Sequence, residues 1–260
     1  MTMDLALANQ LFIIGGATSG FGKAVAEALL NEEANIIAVA RTKEKLHALQ
    51  SAHPYKVEIV CGDITQSETI KNLLALVGDR QIHGALINAG GPPAMTVMET
   101  TLADWDNAYQ SVLRWKVALV QGLIPSMKNY QYGRLLFIES ASVKQPVENL
   151  VLSNSLRLAV VGFVKTLSQE IAHEGITLNV LAPGYHATAA MNRLFKKKTE
   201  ADKITMEEAM LHFINQTDVG FLGAAEDFAS LAAWLLSPHS RYLTGQTISV
   251  DGGMIKGVMG

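Results

Sequence analysis

The stretch that decides the fold is Gly15-Gly16-Ala17-Thr18-Ser19-Gly20-Phe21-Gly22. It follows the apolar, strand-like residues 11–14 and precedes the helix-like residues 23–30. A glycine turn in that position can bind a phosphate, because glycine lets the backbone approach a ligand and the helix start offers unpaired N–H groups. The spacing of Gly16, Gly20 and Gly22 differs from the commoner G-x-G-x-x-G, so an ordinary turn is also compatible with it.

Strand-like and helix-like segments alternate along the rest of the chain. The predicted strands are residues 11–14, 35–40, 56–60, 85–87, 134–138, 176–180 and 246–250. The predicted helices are residues 23–30, 42–50, 65–77, 102–130, 152–173 and 225–236. Apolar strands that alternate with helices predict a parallel sheet covered on both faces. We therefore expect a doubly wound α/β fold of three layers and about seven strands, with residues 1–260 in one domain.

Composition excludes several classes of function. The 260 residues, 49% of them hydrophobic, suffice for one large core. A net charge of -3 and a longest basic run of Lys196-Lys197-Lys198 argue against nucleic acid as a partner. The single cysteine, Cys61, cannot form an internal disulfide, and we expect it to be buried. With no signal-peptide pattern and no apolar stretch near the ~20 residues that span a bilayer, a cytoplasmic protein without a membrane partner is expected.

Polar residues follow the predicted strands at the edge where doubly wound folds bind ligands. Arg41 follows the second strand, where a guanidinium matches a 2′-phosphate, although a surface arginine that opens a helix is the simpler alternative. Asp63, beside Ile64, could accept a hydrogen bond from an adenine amino group or cap a helix. Asn88-Ala89-Gly90 after the fourth strand combines a close backbone approach with a side-chain amide.

These residues together resemble the short-chain dehydrogenase/reductase family. The similarity rests on Gly16-x3-Gly20-x-Gly22, Asp63, Asn88-Ala89-Gly90, Pro183-Gly184-x3-Thr188 and Thr244-Gly245-Gln246…Asp251-Gly252-Gly253. The resemblance implies a Rossmann-type sheet, no metal, and a nicotinamide dinucleotide cofactor. The residues it implies for the cofactor are Gly16, Thr18, Ser19, Gly20, Phe21, Gly22, Asp63, Ile64, Asn88, Ala89, Gly90, Pro183, Gly184 and Thr188. Arg41 stands at the family's phosphate-reading position and implies NADP, whereas Gly15 replaces the usual Thr.

The catalytic positions of the family are altered. Members transfer hydride between the nicotinamide and a carbonyl or alcohol with Ser, Tyr, Lys and Asn, the Tyr being the general acid. Ser140 matches the family Ser, but Ser153, Arg157 and Val112 replace Tyr, Lys and Asn. Arg157 can anchor ribose hydroxyls but cannot relay protons, or it turns toward a carboxylate or a subunit interface instead. Ser153 is a poor acid, and loss of a positioned acid typically costs roughly 10²–10⁴ in rate.

Other groups are candidate substitutes for the acid. Lys144 lies four residues after Ser140, Tyr185 directly follows Pro183-Gly184, and His186 adjoins it. Each has a simpler interpretation: an exposed lysine, a cavity wall and a surface histidine. Strand alternation predicts that Glu139 points away from Ser140, so we discount Glu139.

Two functions remain open from the sequence. The first is an NADP-dependent oxidoreductase with an atypical site for a small carbonyl or alcohol substrate, and the second is an NADP(H)-binding sensor or structural subunit with little redox activity. Residues 186–217 are expected to cover the substrate, although core packing also explains their apolar side chains. These side chains are Met191, Leu194, Phe195, Met206, Met210, Leu211 and Phe213. Residues 152–173 are apolar on nearly all sides, and the family packs this helix against residues 102–130 of a second subunit, so a homodimer or homotetramer is expected.

Overall fold

A computed structural model describes residues 4–258, apart from the side chain of Ala190. Its seven strands are β1 (Leu11–Gly15), β2 (Asn35–Ala40), β3 (Val57–Cys61), β4 (Gly84–Ile87), β5 (Gly133–Ile138), β6 (Ile176–Pro183) and β7 (Thr247–Val250). They form one parallel sheet in the order β3-β2-β1-β4-β5-β6-β7. The predicted doubly wound, Rossmann-type sheet is confirmed, and residues 1–3 and 259–260 of the predicted single domain lie outside the described residues.

Helices cover both faces of the sheet. They are α1 (Gly20–Asn31), α2 (Lys43–Ala52), α3 (Ser67–Val77), α4 (Leu102–Ala108), α5 (Trp115–Asn129), α6 (Val151–Ile171), α7 (Ala189–Asp202), α8 (Met206–Ile214) and α9 (Ala225–Leu236). Alternation within β1 shows the layering, because Phe12 and Ile14 pack in the core with α1 and α9, whereas Ile13 packs in the core with α3, α5 and α6. No helix within residues 4–258 has the length and apolar character needed to cross a membrane.

The helix predicted over residues 102–130 is interrupted. A π-helical segment, Tyr109–Arg114, separates α4 from α5. Here the Ser111 hydroxyl donates to the Asn107 carbonyl at 2.9 Å, and the Trp115 indole donates to the Ser111 carbonyl at 2.9 Å. Apolar periodicity does not reveal such a local widening, which is frequent at functional sites. The other predicted elements are present with shifted ends: α1 begins at Gly20 rather than Lys23, and β6 extends to Pro183.

The expectation that Cys61 is buried is wrong. Cys61 is exposed, because it ends β3, the edge strand of the sheet, and its thiol lies 3.7 Å from the Arg41 carbonyl oxygen. Cys61 therefore lies at the carboxyl end of β3, beside the carboxyl end of β2.

Residues 186–217 form α7, α8 and the turns around them. Met191, Phe195 and Ala209 form a small buried cluster, against which Tyr185 and Phe213 pack. Four other apolar side chains of this segment are exposed: Leu194, Met206, Met210 and Leu211. Packing therefore explains Met191 and Phe195, while α7 and α8 leave several apolar side chains uncovered.

Candidate functional site

The glycine turn between β1 and α1 requires its glycines. Gly16 and Gly20 have φ angles of +69° and +51°, which side-chain-bearing residues rarely adopt. A Cβ on Gly22 would collide with the Gly16 carbonyl oxygen, while a Cβ on Gly20 would meet no atom within 4 Å. The Ser19 hydroxyl does not cap α1, so the first N–H groups of the helix are available to an anion. This cradle fits a dinucleotide pyrophosphate.

Asn88 fixes this turn from the neighbouring strand. Its side-chain Nδ2 donates to the Gly15 carbonyl oxygen at 3.0 Å. A Cβ on Gly15 would lie 2.5 Å from the Asn88 carbonyl oxygen, and one on Gly16 would lie 2.8 Å from Nδ2. The close approach of the two loops therefore leaves no room for a Cβ at Gly15 or Gly16.

Arg41 and Asp63 lie at the ends of β2 and β3. Arg41 is exposed, and none of the ion pairs among the described residues includes it. Asp63 Oδ1 accepts from the Thr65 backbone N–H at 3.0 Å and from its hydroxyl at 2.8 Å. Because α3 begins at Ser67 with Gln66 as N-cap, Asp63 shapes a turn and is not the helix cap. Its contact with adenine stays a prediction.

Ser153 and Arg157 are brought together on one face of α6, as their spacing predicts. Arg157 Nε donates to Ser153 Oγ at 3.1 Å, and Nη1 donates to Glu139 Oε2 at 3.0 Å. A Cβ on Gly91 would lie 2.9 Å from Arg157 Nη2. The guanidinium thus lies against the loop that follows β4 and is also turned toward a carboxylate.

Glu139 points away from Ser140, as strand alternation predicts, and it binds two cations there. Its side chain is fully buried and accepts from Arg157 and from Lys116. Alternation does carry Glu139 to the face on which Leu135 and Phe137 pack. That face is covered by α5 and α6, which supply Lys116 and Arg157, so pointing away from Ser140 placed the carboxylate in the site.

Lys116 is the residue that the sequence analysis missed. It lies one helical turn after Val112, is 3% exposed, and binds Glu139 Oε1 through Nζ. Burial lowers the pKa of Lys116 to about 8, and the Glu139 charge opposes that shift. A lysine four residues after Val112, within an otherwise apolar stretch of helix, was the available signal. We call Lys116, Glu139 and Arg157 the buried charge cluster.

The remaining catalytic candidates have other surroundings. Ser140 Oγ accepts from the Ser142 backbone N–H at 3.2 Å, and Lys144 is half-buried at the end of the same short turn. Tyr185 donates to Gln216 Oε1 at 3.1 Å, and burial raises the pKa of its phenol. His186 is not a surface residue: it is 5% exposed, and burial lowers its pKa. A raised pKa makes Tyr185 a weaker acid than a free phenol.

Three further residues predicted to bind the cofactor lie after β6 and at the start of α1. Gly184 packs against Asp251, because a Cβ there would lie 2.7 Å from Asp251 Cβ. Thr188 precedes α7 as its N-cap, with its N–H on the His186 carbonyl at 2.7 Å. The Phe21 ring lies edge-on to His186 at 4.9 Å between centroids. The side chain of Phe21 is therefore a packing group, which leaves only its backbone to a cofactor.

Comparisons with known proteins agree with this geometry. A family profile described as enoyl-(acyl carrier protein) reductase matches residues 16–255. The chain belongs to the short-chain dehydrogenase/reductase family. It is 29% identical to the 3-oxoacyl-[acyl-carrier-protein] reductase FabG of Haemophilus influenzae, over 95% of this chain and 98% of that protein. It is 23% identical to the NADPH-dependent reductase BacG of Bacillus subtilis, over 97% of this chain and all of that protein.

A solved structure also resembles this chain over nearly its full length. L-sorbose reductase from Gluconobacter frateurii, complexed with NADPH and L-sorbose, superposes with a TM-score of 0.92 at 25% identity. The match covers 98% of this chain and all of that chain. The family is one of oxidoreductases, and the predicted use of NADP agrees with these relatives.

Proposed function

We propose that this chain is an NADP-dependent oxidoreductase that acts on a small carbonyl or alcohol substrate through an atypical site. The observation that carries the proposal is the glycine cradle, in which Asn88 holds Gly15 and the start of α1 stays open to a phosphate. Two relatives that are NADPH-dependent or hold NADPH support the choice of cofactor. Arg41, exposed at the end of β2, is the group that binds the 2′-phosphate.

The chain's own residues orient the reactants. NADPH supplies the hydride when it is bound. Ser140, at the end of β5, hydrogen-bonds the substrate oxygen, and Arg157 hydrogen-bonds the ribose hydroxyls of the cofactor. Glu139 and Ser153 hold the Arg157 guanidinium in one orientation. Side-chain entropy is thereby removed before the cofactor binds.

The substrate oxygen takes its proton from a water molecule, and the hydroxide that remains takes a proton from bulk solvent. Ser153 Oγ accepts from Arg157, so its own hydroxyl proton is free to donate toward a water or the substrate oxygen. Tyr185 is disfavoured, since its hydroxyl is bonded to Gln216 and its pKa is raised. The segment 186–217, with α7 and α8, covers the substrate.

A second function is favoured by one observation. Residue 153, which donates no phenol, is a serine bound to Arg157. Such a chain binds NADP(H) as a sensor or structural subunit and reduces carbonyls little or not at all.

The deciding experiment measures NADPH binding by fluorescence and NADPH oxidation by absorbance against a broad panel of carbonyl compounds. Binding with oxidation supports the oxidoreductase, and binding without oxidation across the panel supports the second function. Carbonyl reduction that appears only in the double variant Ser153→Tyr with Arg157→Lys also supports the second function. Absence of NADPH binding contradicts both functions. Gly22→Ala is the negative control and should not bind NADPH, because its added Cβ collides with Gly16.

A further inference from the structure

His186 joins the glycine turn to the segment that covers the substrate. It lies after β6 and shortly before α7, and it is 5% exposed. Its ring lies edge-on to Phe21, 4.9 Å between centroids, and 6.3 Å from the ring of Phe228. Phe21 and Phe228 also contact each other, at 4.3 Å between centroids. The three rings therefore pack α1, the end of β6 and α9 together.

The backbone at His186 closes the base of residues 186–217. His186 forms a parallel β-bridge with Gly223. The Ala187 N–H donates to the Gly223 carbonyl at 2.8 Å, and the Gly223 N–H donates to the Tyr185 carbonyl at 3.1 Å. A Cβ on Gly223 would lie 2.7 Å from Cδ2 of the His186 ring. The lack of a side chain at Gly223 therefore gives the imidazole its room.

The packing of Phe21 bears on the cofactor cradle. Phe21 lies in the first turn of α1, which begins at Gly20, so its backbone N–H has no acceptor within the helix. Such N–H groups are the ones that bind a phosphate at a helix start. Because the Phe21 ring is wedged between His186 and Phe228, these two side chains set where that N–H points.

The surroundings of His186 favour its neutral form. Nδ1 lies 3.2 Å from the Gly184 carbonyl oxygen, which only accepts, so Nδ1 carries the hydrogen and Nε2 is the nitrogen that gains a proton in acid. Burial lowers the pKa of His186, while the Gly184 carbonyl, Asp227 and Asp251 oppose that shift. The two carboxylates lie on α9 and after β7, and the remaining titratable neighbour is the phenol of Tyr185, which is bound to Gln216.

A small cavity gives the ring a second position. Its volume is about 200 Å³, and His186, Asp227 and Asp251 line it. Each of these carboxylates already accepts a backbone N–H, from Ala224 at 2.8 Å and from Ile255 at 3.0 Å. A carboxylate has about four acceptor positions, so both can also accept from a charged imidazole.

We propose that His186 is a positioning residue for cofactor binding: its neutral ring holds Phe21 in place, whereas a charged ring turns into the cavity toward Asp227 and Asp251 and releases Phe21. The inference rests on the proposed binding of NADP(H) at the glycine turn. It adds that the cradle and the base of residues 186–217 are set by one side chain. Binding of the cofactor then favours the neutral ring, so affinity falls as the pH falls below 6.5.

The test measures the affinity of NADP⁺ by calorimetry between pH 8 and pH 5. At pH 8 we expect His186→Ala to weaken binding about two- to tenfold, the size of one edge-on aromatic contact. His186→Phe keeps a ring but cannot be charged, so the wild type should lose about threefold or more additional affinity relative to it at pH 5. Titration of the 2′-phosphate affects both proteins alike and cancels in this comparison. Circular dichroism checks folding, and His186→Leu, which is also uncharged, replaces a phenylalanine variant that does not fold.

The matched control is His83→Phe. Burial also lowers the pKa of His83, and its ring also contacts an aromatic ring, that of Tyr132. His83 lies before β4, at the opposite end of the strands from the glycine turn. Its variant should keep the pH profile of the wild type.

A second measurement reports on the turn without a cofactor. Amide hydrogen exchange of residues 16–22, corrected for the intrinsic effect of pH, should become faster in acid in the wild type but not in His186→Phe. Parallel affinity profiles of these two proteins, or equal affinities of His186→Ala and the wild type at pH 8, overturn the proposal. Where NADP⁺ does not bind the wild type, the proposed function fails and exchange decides. A pH effect confined to the wild type then supports the role of His186, and parallel exchange curves overturn it.

Discussion

Arg157 Nη1 lies 3.0 Å from Glu139 Oε2, so the guanidinium on α6 is held by a buried carboxylate from the end of β5. Lys116 binds the other oxygen of the same carboxylate. One negative charge therefore stands between two positive charges that are almost excluded from water. The arrangement makes Glu139 the residue on which the geometry of the buried charge cluster depends.

Glu139→Gln destabilises the fold, because it leaves two buried cations without a counter-ion. We expect a loss of about 3–5 kcal/mol in the free energy of unfolding, the range for breaking a buried ion pair. Urea denaturation measures it. The double variant Lys116→Met with Glu139→Gln removes one cation and recovers part of the loss. A cost under about 1 kcal/mol for the single variant contradicts the assigned role of Glu139.

Lys116 gives stability a pH dependence in the alkaline range. Its pKa is lowered from 10.5 to about 8 by burial. Between these two pH values the unfolded chain binds more protons than the folded chain, so stability rises with pH. From pH 7 to 10 the wild type should gain about 2 to 3 kcal/mol relative to Lys116→Met, at 1.36 kcal/mol per pKa unit. Parallel pH curves of the two proteins in urea denaturation would exclude a buried, titrating Lys116.

The sequence predicts the sheet well and the buried charge cluster poorly, for a physical reason. Strand alternation and glycine spacing are local properties, so the seven strands and the turn at Gly16 follow from them. The buried charge cluster joins α5, β5 and α6, which are distant in sequence. Alternation predicted the side of the sheet to which Glu139 points, but not that Lys116 and Arg157 cover that side. The π-helical segment before α5 was missed for a similar reason, since periodicity does not detect an added residue in one turn.

Arg41 should set the preference between the two nicotinamide cofactors. A guanidinium pairs with the 2′-phosphate that only NADPH carries. We expect NADPH to bind the wild type more tightly than NADH, and Arg41→Ala to reduce that difference by weakening NADPH alone. Fluorescence titration with both cofactors measures it, and Lys43→Ala, on the adjoining α2, is the control. Equal affinities of the wild type for NADH and NADPH would rule out this role.

The exposed face of α6 should form a subunit contact. Leu158 is 53% exposed, and Ala159 and Gly162 beside it are also exposed. An apolar helix face of this kind is expected to be buried by a second copy, as the family arrangement implies. Leu158→Glu should lower the molar mass in light scattering at micromolar concentration, whereas Lys45→Glu, exposed on α2, should not. A monomeric wild type would contradict the predicted homodimer or homotetramer.

Arg157→Ala tests whether the Arg157 guanidinium holds the cofactor. The guanidinium adjoins the Gly91 loop while Glu139 and Ser153 hold its other nitrogens. We expect the variant to weaken NADPH binding by about 1.5–3 kcal/mol, the range for hydrogen bonds to a charged group. Arg157→Lys keeps the charge but not the fork of donors, so it should lose less affinity. Both variants should fold, because Glu139 keeps Lys116 as its counter-ion in each. Circular dichroism and urea denaturation check this. An unchanged NADPH dissociation constant in folded Arg157→Ala means that Arg157 serves the buried charge cluster alone.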